Sequence, residues 1–343
     1  MMWANRGWEV GRRASNGCSL NPGRTLAIRR QYLTRHQGTP LCDTRRMSRL
    51  VGTGSSVSVP WPHHRGTLSP LVNGIGDPTV RSNHSSFTFA RRLDVVHLNW
   101  SSHECSTTYA LSHDDDCLLR RLVGSDQTHL PWRIAHEEVR RAAKQHQALR
   151  IAGNGEVFPE LVKAVLGQRI TARDAAAQWA RLVRTTGRLL EHPWGEPLWS
   201  TPDPDAVCSL SVADFHRMGV ERRRAHTIRL VADLARRHAL DSVSTMDDLR
   251  AVTRDVIGCG PWTLAVAAGN ALGDADALPV GDFHLKNTVS WALTRRPRGT
   301  DEEMLVHLEP YAGSRWWVVR CLSLEYRAPR FSHRRVNPDF RSW

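Results

Sequence analysis

The residues with the clearest chemical potential lie in two short stretches late in the chain. Residues 256–263 read VIGCGPWT and residues 278–287 read LPVGDFHLKN. In the first stretch, two glycines flank Cys259 and Pro261 follows, a pattern typical of a tight turn that leads into a helix. In the second stretch, Asp282 stands alone at a predicted helix start. A carboxylate there could stabilise a developing positive charge or orient a water molecule.

The first stretch predicts a helix–hairpin–helix, in which one helix ends at Val256 and the next begins at Pro261. The N–H groups at the start of a helix have no intrahelical acceptor and carry partial positive charge, so they suit a phosphate group. An ordinary helix–helix turn has the same GxG pattern, so the turn alone is not diagnostic. The residues expected to contact phosphate are Gly258, Cys259, Gly260, Trp262 and Thr263.

The charge of the chain favours an anionic partner. Its 343 residues carry a formal net charge of +13, which favours nucleic acid over an anionic membrane surface. The basic residues are 44 arginines and three lysines, a bias that a GC-rich genome would also produce. No run of 18 apolar residues or secretion signal is found, so the sequence predicts a cytoplasmic protein that does not associate with a membrane.

The seven cysteines are scattered through the sequence. They form no CxxC pair and no cluster with ligand-like spacing. A disulfide framework, a zinc site and an iron–sulfur site are therefore not expected. The sequence predicts no metal centre.

The chain divides into four predicted parts. Residues 1–60 hold ten arginines and two acidic residues without periodicity, which predicts a disordered or irregular basic tail. Residues 65–115 contain short β-branched and aromatic stretches, which predict a small antiparallel sheet. Residues 130–330 repeat the helical periodicity and are expected to contain helices without strands. Residues 331–343 form a C-terminal tail.

Capping signals mark several of the predicted helix starts. Thr171 precedes Asp174 by three residues, and Thr245 precedes Asp248 by three, which is the spacing of an N-cap and its partner. Gly219 marks the end of another helix. The overall class is mainly α, or α+β when the small sheet is included.

Four segments within residues 130–330 resemble, in order and spacing, the helix–hairpin–helix (HhH-GPD) family of DNA glycosylases. The likeness is greatest to its AlkA-like 3-methyladenine DNA glycosylase II type. The segments are FPELVKAVLGQRITARDAA, MGVERRRAHTIRLVA, VIGCGPWTLAVAAGNALGDADALPVGDFHLKN and EPYAGSRWWVVRCL. Residues 65–115 would then be a degenerate counterpart of the N-terminal sheet of that family.

The resemblance also implies the partner and the setting of the protein. Its partner would be double-stranded DNA that contains damaged bases, bound by a monomer in the bacterial cytosol or nucleoid. It implies no cofactor, apart from a monovalent cation that the hairpin could hold.

The resemblance assigns Asp282 as the catalytic carboxylate. Aspartate is also a common N-cap, and a helix over 282–294 would use it in that way. The spacing from the hairpin in the family favours the catalytic role. Asp274 and Asp276, in the preceding loop, remain alternatives.

The resemblance also implies a base pocket and a wedge. Gln168 and Arg169 stand where the family inserts a side chain into the gap left by the flipped base, although Arg169 equally suits a phosphate contact. Trp316 and Trp317 are alternates for the pocket, but we expect both in the core. His284 would help to line the pocket or would face solvent. The residues expected to line the pocket are Trp262, Tyr311 and His284.

Three residues depart from the family pattern. Ile257 replaces a proline, Cys259 replaces an aliphatic residue, and Val266 replaces an aromatic residue, so the base preference is expected to differ. Family members that also cleave the strand use a lysine to form a Schiff base, and Trp262 occupies that position here. Lys286 is expected to pair with phosphate or with Asp282.

The function expected from these residues is that of a monofunctional N-glycosylase of base-excision repair that acts on alkylated purines. A glycosylase for another lesion or mismatch is one alternative. A non-catalytic DNA-binding protein that kept the hairpin is another, although such a protein has no use for a carboxylate directed at DNA.

Overall fold

The computed structural model describes residues 58–60, 67, 76–83, 85–100, 104–109, 116–124, 127 and 136–329. All of these residues lie within one compact unit, Ser48–Trp343. Residues 1–57 of the tail predicted over 1–60, and the tail predicted over 331–343, lie outside the described residues, so for these residues the two predictions stay predictions.

The predicted N-terminal sheet is present and has five antiparallel strands in the order β1-β5-β4-β3-β2. The strands are β1 (Ser58–Pro60), β2 (Val80–Ser82), β3 (Ser86–Arg91), β4 (Asp94–Trp100) and β5 (Glu104–Tyr109). The prediction of an irregular tail over residues 1–60 is wrong for residues 58–60, because these residues pair with β5. A three-residue strand is too short to show alternation, so pairing with an existing sheet edge decides its conformation.

The rest of the described chain is mostly helical, which confirms the predicted fold class. The helices are α1 (Asp116–Val123), α2 (Glu137–Gln145), α3 (Val157–Leu166), α4 (Ala172–Thr186), α5 (Pro204–Ser209), α6 (Val212–Arg217), α7 (Arg222–Arg236), α8 (Met246–Thr253), α9 (Pro261–Ala271), α10 (Leu285–Thr294), α11 (Asp301–Leu308) and α12 (Arg315–Glu325). A two-stranded ribbon, β6 (Leu189–Leu190) with β7 (Leu198–Trp199), interrupts them. The expectation of no strands over 130–330 is therefore wrong, because strands of two residues leave no recognisable period.

The capping signals placed the helix starts correctly. Thr171 Oγ1 accepts from the backbone N–H of Asp174 at the start of α4. Thr245 and Asp248 form a capping box at the start of α8. The predicted helix end at Val256 was three residues too late, because α8 ends at Thr253.

Helix α3 lies at the centre of the helical part and every one of its residues is buried. It carries a buried ion pair, Lys163 Nζ to Glu160 Oε1 at 3.0 Å, and Lys163 Nζ also lies 3.7 Å from Asp77 Oδ2. Burial acts to lower the pKa of Lys163, but the two carboxylates outweigh burial and the pKa is raised. Asp77 lies just before β2 and also accepts from Trp179 Nε1 of α4 at 3.0 Å. This buried polar group links the sheet to α3 and α4.

Candidate active site

The hairpin turn is packed tightly against α7. Gly258 has φ +98°, and a Cβ at that position would lie 2.3 Å from Thr227 Oγ1. The same hydroxyl donates to Ile257 O at 2.8 Å, and the Cys259 N–H donates to Val256 O at 3.1 Å. Both the backbone conformation and the close contact require glycine at position 258.

The second glycine has a different role. Gly260 has φ −79° and is the N-cap of α9, with no side-chain cap. A Cβ on Gly260 would meet nothing within 4 Å. The first helical hydrogen bond runs from Leu264 N–H to Gly260 O at 3.0 Å, so the N–H groups of Trp262 and Thr263 have no acceptor within the helix. The result is an open, uncapped helix start that suits an anion.

Two of the predicted phosphate-binding residues would act through the backbone only. The side chain of Thr263 is buried. Cys259 packs against the core that surrounds α3, and burial raises the pKa of its thiol to about 11. Cys259 is therefore a small packing residue rather than a reactive thiol.

The structure separates the two residues of the predicted wedge. Gln168 Nε2 donates to Gly258 O at 2.8 Å and to Thr263 Oγ1 at 2.8 Å. Its side chain therefore braces the hairpin in this structure, and its wedge role stays a prediction. The reason for these contacts is that α3 ends beside the hairpin and brings the amide within reach of both acceptors.

Arg169 remains the candidate wedge. It is exposed and has φ +60°, a left-handed conformation that is uncommon outside glycine. The loop that carries it is held from behind by Arg224, a buried residue of α7 whose Nη1 donates to Leu166 O at 2.7 Å. The described contacts thus fix the base of the loop and leave the Arg169 side chain at the surface.

Asp282 is a helix cap and lies at the centre of the candidate site. Its Oδ1 accepts from the N–H groups of His284 at 2.8 Å and Leu285 at 3.0 Å. Its Oδ2 accepts from Trp262 Nε1 at 3.2 Å. The helix predicted from residue 282 begins instead at Leu285, because the side chain of Asp282 takes the first N–H groups of α10. Its capping role and its proposed catalytic role are therefore compatible.

Trp262 lies between the three predicted parts of the site, which are the hairpin, the loop after α3 and Asp282. It is the second residue of α9, it is half-buried, and its indole N–H is committed to Asp282. A Cβ on Gly167, next to Gln168, would lie 3.5 Å from Trp262 Cη2. The indole therefore spans from the loop after α3 to the carboxylate before α10.

No described side-chain hydrogen bond joins the other predicted pocket residues to Asp282, which His284 contacts only through its backbone N–H. Tyr311 is buried, and its hydroxyl accepts from the His136 N–H at 2.7 Å; burial raises its pKa. His284 is exposed and packs edge-on against Phe283, with ring centroids 5.0 Å apart. The pocket roles of Tyr311 and His284 stay predictions.

The alternative residues for the base pocket and for the catalytic carboxylate have other partners. Trp317 is buried and donates to Leu149 O at 2.9 Å, as expected for the core, and Trp316 packs against the same cluster. Asp276 accepts from the N–H groups of Gly313 and Arg315 and binds the Arg315 guanidinium, so it caps α12.

Asp274 accepts from the N–H of Asp276 at 2.8 Å, and burial raises its pKa. Lys286 binds Asp301 Oδ2 at 2.8 Å, so its predicted pairing with Asp282 is wrong. Packing of α11 against α10 places Asp301 within its reach.

Sequence reasoning missed two features beside Asp282. Phe283 follows it directly, with 56% of the side chain exposed, and Asp301 accepts from the N–H of Gly281 just before it at 3.0 Å. The capping box of Thr300 and Glu303 was a readable signal for the start of α11. Nothing in the sequence showed that this start lies against Gly281.

Comparison with known proteins supports the assignment of the hairpin and Asp282 to one domain. Residues 162–312 match the family described as HhH-GPD superfamily base excision DNA repair protein. A curated protein of Mycobacterium tuberculosis, named probable bifunctional transcriptional activator/DNA repair enzyme AlkA, is 33% identical over 127 residues. That match covers 36% of this chain and 25% of the relative, so the chain spans about a quarter of the length of the curated relatives it matches.

Solved structures share the fold over a longer range. A 3-methyladenine DNA-glycosylase from Archaeoglobus fulgidus aligns with a TM-score of 0.64 at 16% identity, over 78% of this chain and 98% of that one. An 8-oxoguanine glycosylase/lyase of Clostridium acetobutylicum, in complex with double-stranded DNA, aligns with a TM-score of 0.62 at 12% identity, over 78% and 94%. At these identities the likeness concerns the fold.

In the part of the chain that the structure describes, no helix has the length and apolar character needed to cross a membrane. The hairpin, the loop after α3 and Asp282 all fall within the matched residues. Over residues 162–312, the chain is similar to the HhH-GPD superfamily of base excision DNA repair proteins.

Proposed function

We propose that this protein is a monofunctional DNA N-glycosylase of base-excision repair that releases alkylated purines from double-stranded DNA. The observation that carries the proposal is the placement of Asp282. One of its oxygens is held by two backbone N–H groups and the other by Trp262 Nε1. Three donors hold this carboxylate in one orientation before the substrate binds, and electrostatic catalysis requires such a fixed charge.

The proposed reaction breaks the bond between C1′ of the sugar and the base nitrogen. The electron pair of that bond leaves with the base, and positive charge develops on the sugar as in glycoside cleavage. The Asp282 anion stabilises this charge. A water oxygen then bonds to C1′, and its proton passes to Asp282 or to solvent. The products are the free base and an intact strand with an abasic site.

We propose hydrolysis rather than strand cleavage because no lysine stands at the Schiff-base position and because Lys163 and Lys286 are both paired with carboxylates. Trp262 occupies the position of the Schiff-base lysine in the family resemblance. Lys163 is buried in its pair with Glu160, and Lys286 is paired with Asp301. Neither amine is free to attack C1′ in this arrangement.

The proposed preference for alkylated purines depends on the charge of the base that leaves. An alkylated purine carries positive charge and departs without a general acid, and an aromatic face attracts such a base by stacking and by cation–π interaction. Trp262 is half-buried beside Asp282 and Phe283 is exposed beside it. Among the described residues, the Trp262 ring contacts the carboxylate and the Phe283 ring belongs to the next residue in the chain.

The proposal extends to how the protein meets its substrate. It acts as a monomer on DNA in the bacterial cytoplasm, with no organic cofactor. The uncapped start of α9 would bind a phosphate 3′ or 5′ to the lesion. A monovalent cation at the hairpin stays part of the proposal, although Ile257 O and Gly258 O already accept hydrogen bonds from Thr227 and Gln168.

A panel of duplexes, each with one lesion, tests the proposal together with Asp282→Asn. Asparagine can still cap α10 through its oxygen but carries no charge. We expect the wild-type protein to release 3-methyladenine or 7-methylguanine. We expect the variant to be at least a hundredfold slower, about 2.7 kcal/mol of barrier, while it binds undamaged duplex with unchanged affinity.

Asp255→Asn is the matched control, because it removes the same charge from an exposed residue near the hairpin and should leave the rate unchanged. Release by Asp282→Asn within about tenfold of wild type, roughly 1.4 kcal/mol, would reduce Asp282 to a helix cap. Release of another base, such as 8-oxoguanine, would select the alternative of a different lesion. Salt-dependent binding without release of any base would select the non-catalytic alternative.

A further inference from the structure

A second carboxylate, Asp301, holds the turn that carries Asp282. Asp301 is the first residue of α11 and lies 19 residues beyond Asp282 in the chain. Its Oδ1 accepts from the N–H of Gly281 at 3.0 Å, and its Oδ2 pairs with Lys286 Nζ at 2.8 Å. One side chain therefore binds the backbone just before Asp282 and the first turn of the helix just after it.

Asp301 supports this turn from outside, at the Gly281 N–H. Gly281 has φ +90°, a conformation that few residues adopt, and it directly precedes Asp282. Among the described contacts, the side chain of Asp282 is held by groups that follow it in the chain or come from α9. The bond from Asp301 is a side-chain contact to the chain just before Asp282, in addition to the backbone hydrogen bond from the Asp282 N–H to Pro279 O at 3.2 Å.

The segment just before α11 is itself locked onto α10. The Gly299 N–H donates to Asn287 Oδ1 at 3.2 Å, and Asn287 Nδ2 donates to Phe283 O at 3.0 Å. A Cβ on Gly299 would lie 2.7 Å from the Cβ of Ser290 and 2.9 Å from Lys286 O. Close packing thus keeps the start of α11 against the turn.

The capping box of Thr300 and Glu303 then fixes the first turn of α11, in which Asp301 lies. The Asp301 carboxylate is well sheltered, with 22% of its side chain exposed, and Lys286 is similar at 27%. The pair with Lys286 is therefore partly desolvated, and such a pair is stronger than one at an open surface.

We propose that Asp301 is a positioning residue that sets the direction of the Asp282 carboxylate by accepting the hydrogen bond of the Gly281 N–H just before it. This inference rests on the proposed function, because it concerns the same reaction. Asp301 does not touch the sugar or the base. Its contribution is geometric, and a displacement of about 1 Å at a reacting group costs on the order of a hundredfold in rate.

Three variants separate the two contacts. Asp301→Ala removes both, Asp301→Asn keeps an oxygen that can accept from Gly281, and Lys286→Met removes the ion pair alone. Glu302→Ala is the matched control, since it removes the same charge from the next residue of α11, which is exposed. Each variant is tested as the full chain, well below its melting temperature.

The first readout is the single-turnover rate of base release, measured beside the affinity for lesion-containing duplex. We expect Asp301→Ala to lose about tenfold to a hundredfold in rate with affinity unchanged. Asp301→Asn should restore the rate to near wild type, and Lys286→Met and Glu302→Ala should change it little. A purely structural role predicts equal losses of rate and affinity, and no rescue by asparagine.

The second readout is hydrogen exchange at the Gly281 amide, which does not depend on activity. We expect about tenfold faster exchange in Asp301→Ala than in the control. Wild-type rate and wild-type exchange in Asp301→Ala would overturn the inference while the proposed function stands. A wild-type protein that releases no base from any duplex would overturn the proposed function, and unchanged exchange in that case would overturn the role of Asp301 as well.

Discussion

The indole N–H of Trp262 donates to Oδ2 of Asp282 at 3.2 Å. Trp262 lies in the first turn of α9, whose open N-terminus forms one side of the hairpin. Asp282 lies before α10. This hydrogen bond therefore fixes the distance between the candidate phosphate site and the candidate catalytic carboxylate. DNA bound at the hairpin would present its sugar to Asp282 at a distance that this hydrogen bond helps to set.

Replacement of Trp262 by phenylalanine tests that bond. The aromatic face is kept and the donor is removed. A hydrogen bond to a charged group contributes about 1.5–3 kcal/mol, so we expect the rate of base release to fall about tenfold or more. Affinity for DNA should change by less than about threefold, since the backbone amides of α9 are unaltered.

Single-turnover kinetics and a binding titration on the same duplex make the measurement. Trp199→Phe, in the β6–β7 ribbon, is the control for loss of an indole. A rate for Trp262→Phe equal to that of the control would mean that the backbone amides of His284 and Leu285 suffice to hold Asp282.

The two hairpin glycines should respond in opposite ways to alanine. Gly258→Ala introduces a methyl group that clashes with Thr227 and a strained φ, so we expect a loss of about 2 kcal/mol in the free energy of unfolding. Gly260→Ala meets open space at an allowed φ, so stability should change by less than about 0.5 kcal/mol.

DNA affinity completes the comparison of the glycines. Gly260→Ala should weaken binding about tenfold, because the added methyl group stands where a phosphate would approach the backbone. Thermal melting and duplex titration measure both effects, and each variant is the control for the other. Wild-type affinity for Gly260→Ala would show that DNA does not approach this glycine.

DNA binding should depend steeply on salt and little on the N-terminal tail. A chain that begins just before Ser58 keeps β1 paired with β5 and removes most of the predicted basic tail. We expect its affinity to stay within about threefold of the full chain, with a similar dependence of log affinity on log salt concentration. Titrations of both chains at several salt concentrations make the measurement. Loss of most of the affinity, with a shallower salt dependence, would make the tail a DNA-binding element.

Borohydride should trap no covalent complex with lesion-containing DNA. Trapping requires an amine bonded to C1′, and Trp262 stands where the lysine of the strand-cleaving members would stand. Strand breaks should appear only after alkali treatment of the abasic product. A denaturing gel after incubation with lesion DNA and borohydride reads both outcomes.

Lysine variants identify the nucleophile if trapping is seen. Lys163→Met and Lys286→Met remove the paired amines, and Lys144→Met removes the exposed one on α2. A trapped band that disappears in one of these variants would show that the protein is a lyase and would identify its amine.

The sequence by itself determined the features that depend on local chemistry. The Gly-Cys-Gly-Pro order specified a turn followed by a helix, because the glycine permits positive φ and proline suits the first helical position. Thr171 and Thr245 specified helix starts, because their hydroxyl groups satisfy N–H groups only a few residues away. The spacing of Asp282 from the hairpin marked the candidate carboxylate. Short strands such as Ser58–Pro60 could not be predicted, because three residues are too few to show the alternation of a strand.

Tertiary structure alone decided which distant side chains meet. The end of α3 lies beside Gly258, so the amide of Gln168, a predicted wedge residue, donates to the hairpin backbone. Lys286 could reach several acceptors, and the packing of α11 on α10 selected Asp301. These contacts join residues 15 to 90 positions apart. Local propensity carries no information about such pairs, because they form only when helices pack and bury their shared surface.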